Sequence, residues 1–198
     1  MTPSIAQPAC SVKGRFGGKF DGGGPGPAWL DMRLRRVARE KALQFLFQHE
    51  VNPTGNLGAE LTAFWEEQWR VMREERGEKP PAEGEPAPAP TTDEAAIRTF
   101  ADGLIEGTLS RQDDIDSELS RVMINWSLHR LAAVDRNILR MAVYEMRFRD
   151  DIPPVVTINE AIEIARKFST ADSGKFVNGI LDRIKGELNR PAREAAGA

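Results

Sequence analysis

The sequence predicts an all-α fold, a compact helical bundle with about seven helices. Three observations lead there. Apolar residues recur at three- and four-residue spacing through most of the chain, no segment alternates like a strand, and glycine and proline cluster outside the periodic segments.

The elements follow in order. Residues 1–30 are rich in glycine and proline and poor in large apolar residues. Such a segment cannot bury enough surface to offset its ordering entropy and is expected to be disordered. The run Gly22-Gly23-Gly24-Pro25-Gly26-Pro27 has no strand before it and no P-loop lysine, so it is not read as a phosphate loop. Residues 31–50 predict a helix with Asp31 at its cap. Leu34, Val37, Ala38, Ala42 and Phe45 fall on one side. Arg35, Arg36 and Arg39 fall within an arc of about 100° on the other, with Arg33 and Lys41 nearby. Leu43, Phe45, Leu46 and Phe47 surround the second half, which predicts burial there and an exposed arginine face in the first half.

Residues 57–78 place Leu61, Phe64, Trp65, Trp69 and Met72 on a stripe backed by glutamates. Residues 79–92 hold five prolines and read as a stiff surface insert. A helix resumes over 93–120, with a bend expected near Asp113 and short helical pieces through Trp126 to Leu131. Residues 134–149 are apolar around most of the circumference, with Arg136, Arg140 and Arg147 as a narrow polar strip. This is the expected central helix. Glu145 points into its apolar side and is read as a hydrogen-bonded structural carboxylate. After Pro153-Pro154, Thr157 and Glu160 suggest a capping box. Asp172 or Ser173 is expected to cap the last helix, and residues 189–198 to form a flexible tail.

Charge and composition narrow the function. The net charge is −3, but residues 1–49 carry +5 and the remainder −8. A basic segment on an acidic body suits a localised anion site. No apolar run approaches ~18 residues, so no membrane-spanning helix is expected. The single cysteine, Cys10, excludes an internal disulfide, and no secretory h-region is present, which points to a cytoplasmic protein. His49 and His129 lack partners at metal spacing, and Asp114, Asp116 and Glu118 lack the glycine of a calcium loop. No nucleophile or zincin motif appears, and a Cys/His metal site is not expected. Three arginines on one helical face suit phosphate contacts, though a basic helix of this kind also docks acidic proteins.

Two stretches carry a resemblance. RLRRVAREKALQFLFQHEVN, from Arg33, resembles the opening helix of the NusB family. From Val134, VDRNILRMAVYEMRFRDDIPPVVTINEAIEIARKFSTADSGKFVNGILDRI looks like that family's C-terminal half, with INEAIEIAR and DSGKFVNGILD highly specific in combination. The resemblance spans roughly residues 32–188 around the insert, and Met32 onward reads like a family N-terminus. It implies an all-helical fold of two small helical subdomains packed together, and an RNA-binding transcription antitermination factor, without catalysis or cofactor, that takes the boxA element of nascent ribosomal RNA as a heterodimer with NusE. Other Nus factors and RNA polymerase complete the implied complex.

Position by position, the family's arginine-rich motif falls on Arg35, Arg36 and Arg39, with Arg33 beside them; Val37 interrupts a run that is often unbroken. Phe47 stands where a tyrosine is common, and Asp172, Lys175 and Phe176 match positions near the family's RNA surface. NusE is expected on the acidic segment 93–131. Two other readings exist. One is a protein–protein adaptor whose basic helix docks an acidic partner. The other is the helical domain of a ribosomal-RNA cytosine methyltransferase, which needs catalytic cysteines where this sequence has only Cys10.

Overall fold

The computed structural model describes residues 28–79, 81–82, 85–123 and 127–188, with side chains from residue 31 onward. Residues 1–27, Trp126 and the tail 189–198 lie outside them, and with them the expectations stated for those positions.

Seven α-helices and one 3-10 turn make up the described residues: α1 Ala28–Val51, α2 Leu57–Glu75, α3 Thr92–Ser110, α4 Gln112–Val122, the turn Leu128–Arg130, α5 Ala133–Phe148, α6 Pro154–Phe168 and α7 Ser173–Gly186. The chain divides into α1–α3 and α4–α7, and α5 joins them by packing on α1, α3, α4, α6 and α7. One continuous apolar core runs through both halves, from Ala38, Phe45 and Trp65 to Ile138, Val143, Ala165 and Leu181.

Local chemistry sets the boundaries. Asn56 caps α2 by accepting from the Ala59 amide at 3.1 Å. Gly77, at φ +74°, ends that helix: its amide donates to Glu74 O and that of Glu78 to Arg73 O. Phe45, Phe64, Trp65 and Trp69 form an aromatic chain where α2 meets α1, and Trp65 Nε1 donates to Asp102 of α3 at 2.7 Å.

Residues 79, 81–82 and 85–91 of the insert are exposed and outside regular structure. At its far end Thr91 and Glu94 form a reciprocal capping box for α3. Glu94 also takes Arg76 Nη2 at 2.9 Å, so one buried carboxylate ties the end of α2 to the start of α3. Burial opposes ionisation of Glu94, but the Thr91 amide and Arg76 outweigh it and hold its carboxyl below the ordinary value.

The helix break expected near Asp113 falls at Arg111. The polar strip of α5 is taken up by ion pairs: Arg136 pairs with Glu50 of α1, while Arg140 and Arg147 pair with Asp116 and Glu118 of α4. Of the alternating acids that resembled a calcium loop, Asp116 and Glu118 dock α5, whereas the exposed Asp114 lies 3.7 Å from Arg111. Two sequence expectations are corrected, at Thr157 and Phe47. Thr157 caps nothing; α6 begins a turn earlier because Pro154 is pre-organised for the first helical position. Thr157 is buried, its hydroxyl without a hydrogen-bond partner. Phe47, expected inside, is 39% exposed, so the second half of α1 keeps an open side.

Candidate nucleic-acid interface

Helix geometry puts Arg33, Arg36, Glu40 and Phe47 on one stripe of α1, because 3.6 residues per turn brings residues three, four and eleven apart within about 60°. The stripe runs roughly 16 Å from Arg36 to Phe47. Arg33, Arg36 and Phe47 are exposed along it. Arg33 and, on α7, Lys175 are exposed and carry no ion pair among the described residues.

The three arginines expected on one exposed face occupy different environments. Arg36 lies outward, its Nε and Nη2 donating to Glu160 of α6 at 2.8 and 2.5 Å. That hydrogen bond raises the Arg36 pKa above its ordinary value, so its charge is fixed. Arg35 is half-exposed, 3.1 Å from Asp31 and 3.8 Å from Asp151. Arg39 is a correction: it is 3% exposed, with Nε and Nη2 donating to the buried Glu145 at 3.0 and 2.8 Å. The guanidiniums of Arg35, Arg39 and Arg149 all lie 5.1–5.4 Å from the centre of the Phe100 ring on α3. Glu145 has the structural role that its place in the sequence suggested.

On α7, Asp172 holds the N-cap position without a side-chain cap bond, and Lys175 is exposed. Phe176 is half-buried against the core. Ser173 is turned inward, where its hydroxyl donates to Asp135 of α5 at 3.0 Å and accepts from the Thr170 amide. Helix α6 connects the two regions. A side chain on Gly174 would meet the Arg166 stem at 3.3 Å, and Lys167 reaches back to Glu40 of α1 at 2.6 Å. The sequence reading missed the roles of Glu160, Arg166 and Lys167. Their cue was present in INEAIEIARKF, whose polar residues fall on the side away from Ile158, Ala161 and Ala165.

His49 stacks on Phe45 and meets Glu60 at 2.5 Å, a structural pairing. No group of His, Cys, Asp and Glu among the described residues is arranged to hold a metal ion, and no helix there is long and apolar enough to cross a membrane.

The protein is thus of the class of two-part helical bundles, with an arginine–aromatic stripe exposed on its first helix. The NusB family pattern matches residues 36–185. The transcription antitermination protein NusB of Desulfitobacterium hafniense is 42% identical over 156 residues, covering 79% of this chain and 90% of the relative. That of Geobacter sulfurreducens is 42% identical over 157 residues, covering 79% and 97%. The chain belongs to the NusB family. Among solved structures, T. maritima NusB aligns with a TM-score of 0.58 at 38% identity, covering 79% of this chain and 93% of that one. The crystal structure of the antitermination factors NusB and NusE in complex with dsRNA aligns at 0.57 and 25% identity, covering 79% and 99%.

Proposed function

We propose that this protein is a transcription antitermination factor that binds the boxA element of nascent ribosomal RNA together with NusE. It works without catalysis or cofactor, in the cytoplasm, within a complex of other Nus factors and RNA polymerase. The observation that carries the reading is the exposed stripe of α1, where Arg33 and Arg36 offer guanidiniums and Phe47 offers a ring. Guanidiniums take phosphate by charge-assisted forks, and an exposed ring stacks an unpaired base. Arg35 adds a flanking charge. Arg39 serves the site from beneath, because its hydrogen bonds are committed to Glu145. Lys175 and the exposed edge of Phe176 extend the site onto α7, with Asp172 beside them.

NusE, a ribosomal protein and so expected to be basic, docks on the acidic outer side of α3 and α4. Asp93, Glu106 and Asp113 are exposed there, whereas Asp116 and Glu118 are engaged by α5. The deciding experiment is a gel shift with boxA RNA and a scrambled RNA, with and without NusE. The reading requires preference for boxA and a tighter complex when NusE is present.

A further inference from the structure

Glu160 stands between two guanidiniums of unequal freedom. It accepts from Arg36, whose side chain is 49% exposed, at 2.5 and 2.8 Å. Its Oε2 also lies 3.9 Å from Nη1 of Arg39. The Nε and Nη2 of Arg39 are committed to Glu145, which leaves Nη1 as the donor edge facing Glu160. A second pair crosses the same α1–α6 seam, Glu40 with Lys167. The outward cation Arg36 is thus already occupied by a carboxylate, whose two acceptor oxygens take the guanidinium fork as the two non-bridging oxygens of a phosphate would.

We propose that Glu160 is a built-in competitor for RNA phosphate: it holds Arg36 in the free protein and falls back onto Nη1 of Arg39 when a phosphate takes Arg36. The inference rests on the reading of α1 as an RNA-binding stripe. Binding at Arg36 is then an exchange of anions. The displaced carboxylate stays close to the incoming phosphate, so the guanidinium neutralises the site only in part. The fallback limits the cost, because Glu160 is never left without a cation. Competition of this kind acts on every phosphate-bearing strand alike. It lowers affinity across RNA sequences and leaves the preference between them unchanged.

The test uses the full chain carrying Glu160→Gln. This substitution keeps the side-chain length and an acceptor for Arg36 but removes the charge. Glu67→Gln on α2 is the control for net charge, since Glu67 pairs only locally with Arg70. Wild type and variants are titrated with boxA RNA and scrambled RNA at several salt concentrations, with circular dichroism to follow helicity. Glu160→Gln is expected to bind both RNAs tighter by the same factor, up to about fivefold, the scale of an exposed ion pair. The log K against log salt slope is expected to steepen by up to ~0.7. Unchanged or weaker binding with helicity intact overturns the proposal. So does an equal gain in Glu67→Gln, which would reflect bulk charge.

Were Glu160→Gln to lose helicity, the wild-type protein decides: arginine side-chain N–H resonances of both Arg36 and Arg39 must shift on adding RNA, and an unmoved Arg39 signal overturns the exchange. A wild-type protein that binds scrambled RNA as tightly as boxA sinks the functional reading alone. The Glu160→Gln comparison on scrambled RNA then still decides the exchange. Wild type and Glu160→Gln both inert toward RNA would sink the two together.

Discussion

Arg39 and Glu145, 106 residues apart, form a buried ion pair that fastens α1 to α5 across the boundary between the two halves of the fold. A buried pair of this kind adds little against apolar replacements, but removing one partner strands a charge. Arg39→Ala should therefore cost about 3–5 kcal/mol of stability. The double replacement Arg39→Met with Glu145→Leu should recover most of that loss. Chemical denaturation of the three proteins checks this. A mild Arg39→Ala phenotype, or a double variant as unstable as the single, would show that the pair does not bear on folding as its burial requires.

The arginine stripe separates charge from stacking. Arg36→Ala should weaken binding to every RNA and make the salt slope shallower by up to ~0.7, with the melting temperature unchanged because Arg36 lies outward. Phe47→Ala should cost ~1–3 kcal/mol in binding with the slope unchanged. Phe176→Ala should lose both RNA affinity and stability, since Phe176 packs partly on the core. RNA titrations over a salt series, with melts alongside, tell these apart. An identical change of slope in Arg36→Ala and Phe47→Ala would refute the division of roles.

The helices were legible because each has one apolar stripe, and a stripe is written in a single stretch of sequence. The arginine environments were not, because an ion pair needs a partner from elsewhere in the chain. Arg35, Arg36 and Arg39 look equivalent on α1 alone. Only the approach of α5 and α6 makes Arg39 a buried strut and Arg36 a surface cation. Thr157 failed as a cap for a related reason. The capping-box pattern and Pro154 compete for one boundary, and the fixed φ of proline sets it earlier. Phe47 was misplaced because an aromatic residue beside Leu46 reads as core unless the far side of the helix is known to be uncovered.

The proposed NusE surface gives an independent check. Carboxylate-directed crosslinks from NusE lysines should concentrate on Glu106 and Asp113, which are exposed on α3 and α4. Asp116 and Glu118 should react little, because Arg140 and Arg147 hold them. Crosslinks centred on residues 33–41 would place NusE on the RNA stripe and reject this arrangement.

Acid should loosen the junction of α1 and α2. Hydrogen bonds from His49 and Thr54 hold the Glu60 carboxyl down at about 2, against an ordinary value of 4.5. A folded-state value below the unfolded one means that the unfolded chain takes up the proton first as pH falls. The contribution of Glu60 is therefore full above about 4.5 and is lost between there and about 2. Glu60→Gln should melt earlier than wild type at neutral pH, with the gap closing through that window. A gap that stays constant down to the acid limit would contradict the assignment.

The insert between α2 and α3 should tolerate shortening, provided its base is left intact. Arg76 and the α3 cap converge on the single buried carboxylate of Glu94, and Arg73 donates to Pro88 O at 2.7 Å. The geometry of the two helices is thus fixed where the insert begins and ends. Closure entropy changes by only ~0.6 kcal/mol per doubling of loop length. Replacing residues 79–87 by a few Gly and Ser residues should leave helicity, melting temperature and RNA affinity close to wild type. Glu94→Ala should do the opposite. It removes the reciprocal cap of α3, leaves Arg76 without its buried partner, and should lower stability by about 1–3 kcal/mol with the insert at full length. Thermal melts of the shortened chain and of Glu94→Ala decide between these roles. A large loss from shortening alone would mean that the proline-rich residues themselves hold α2 and α3 together.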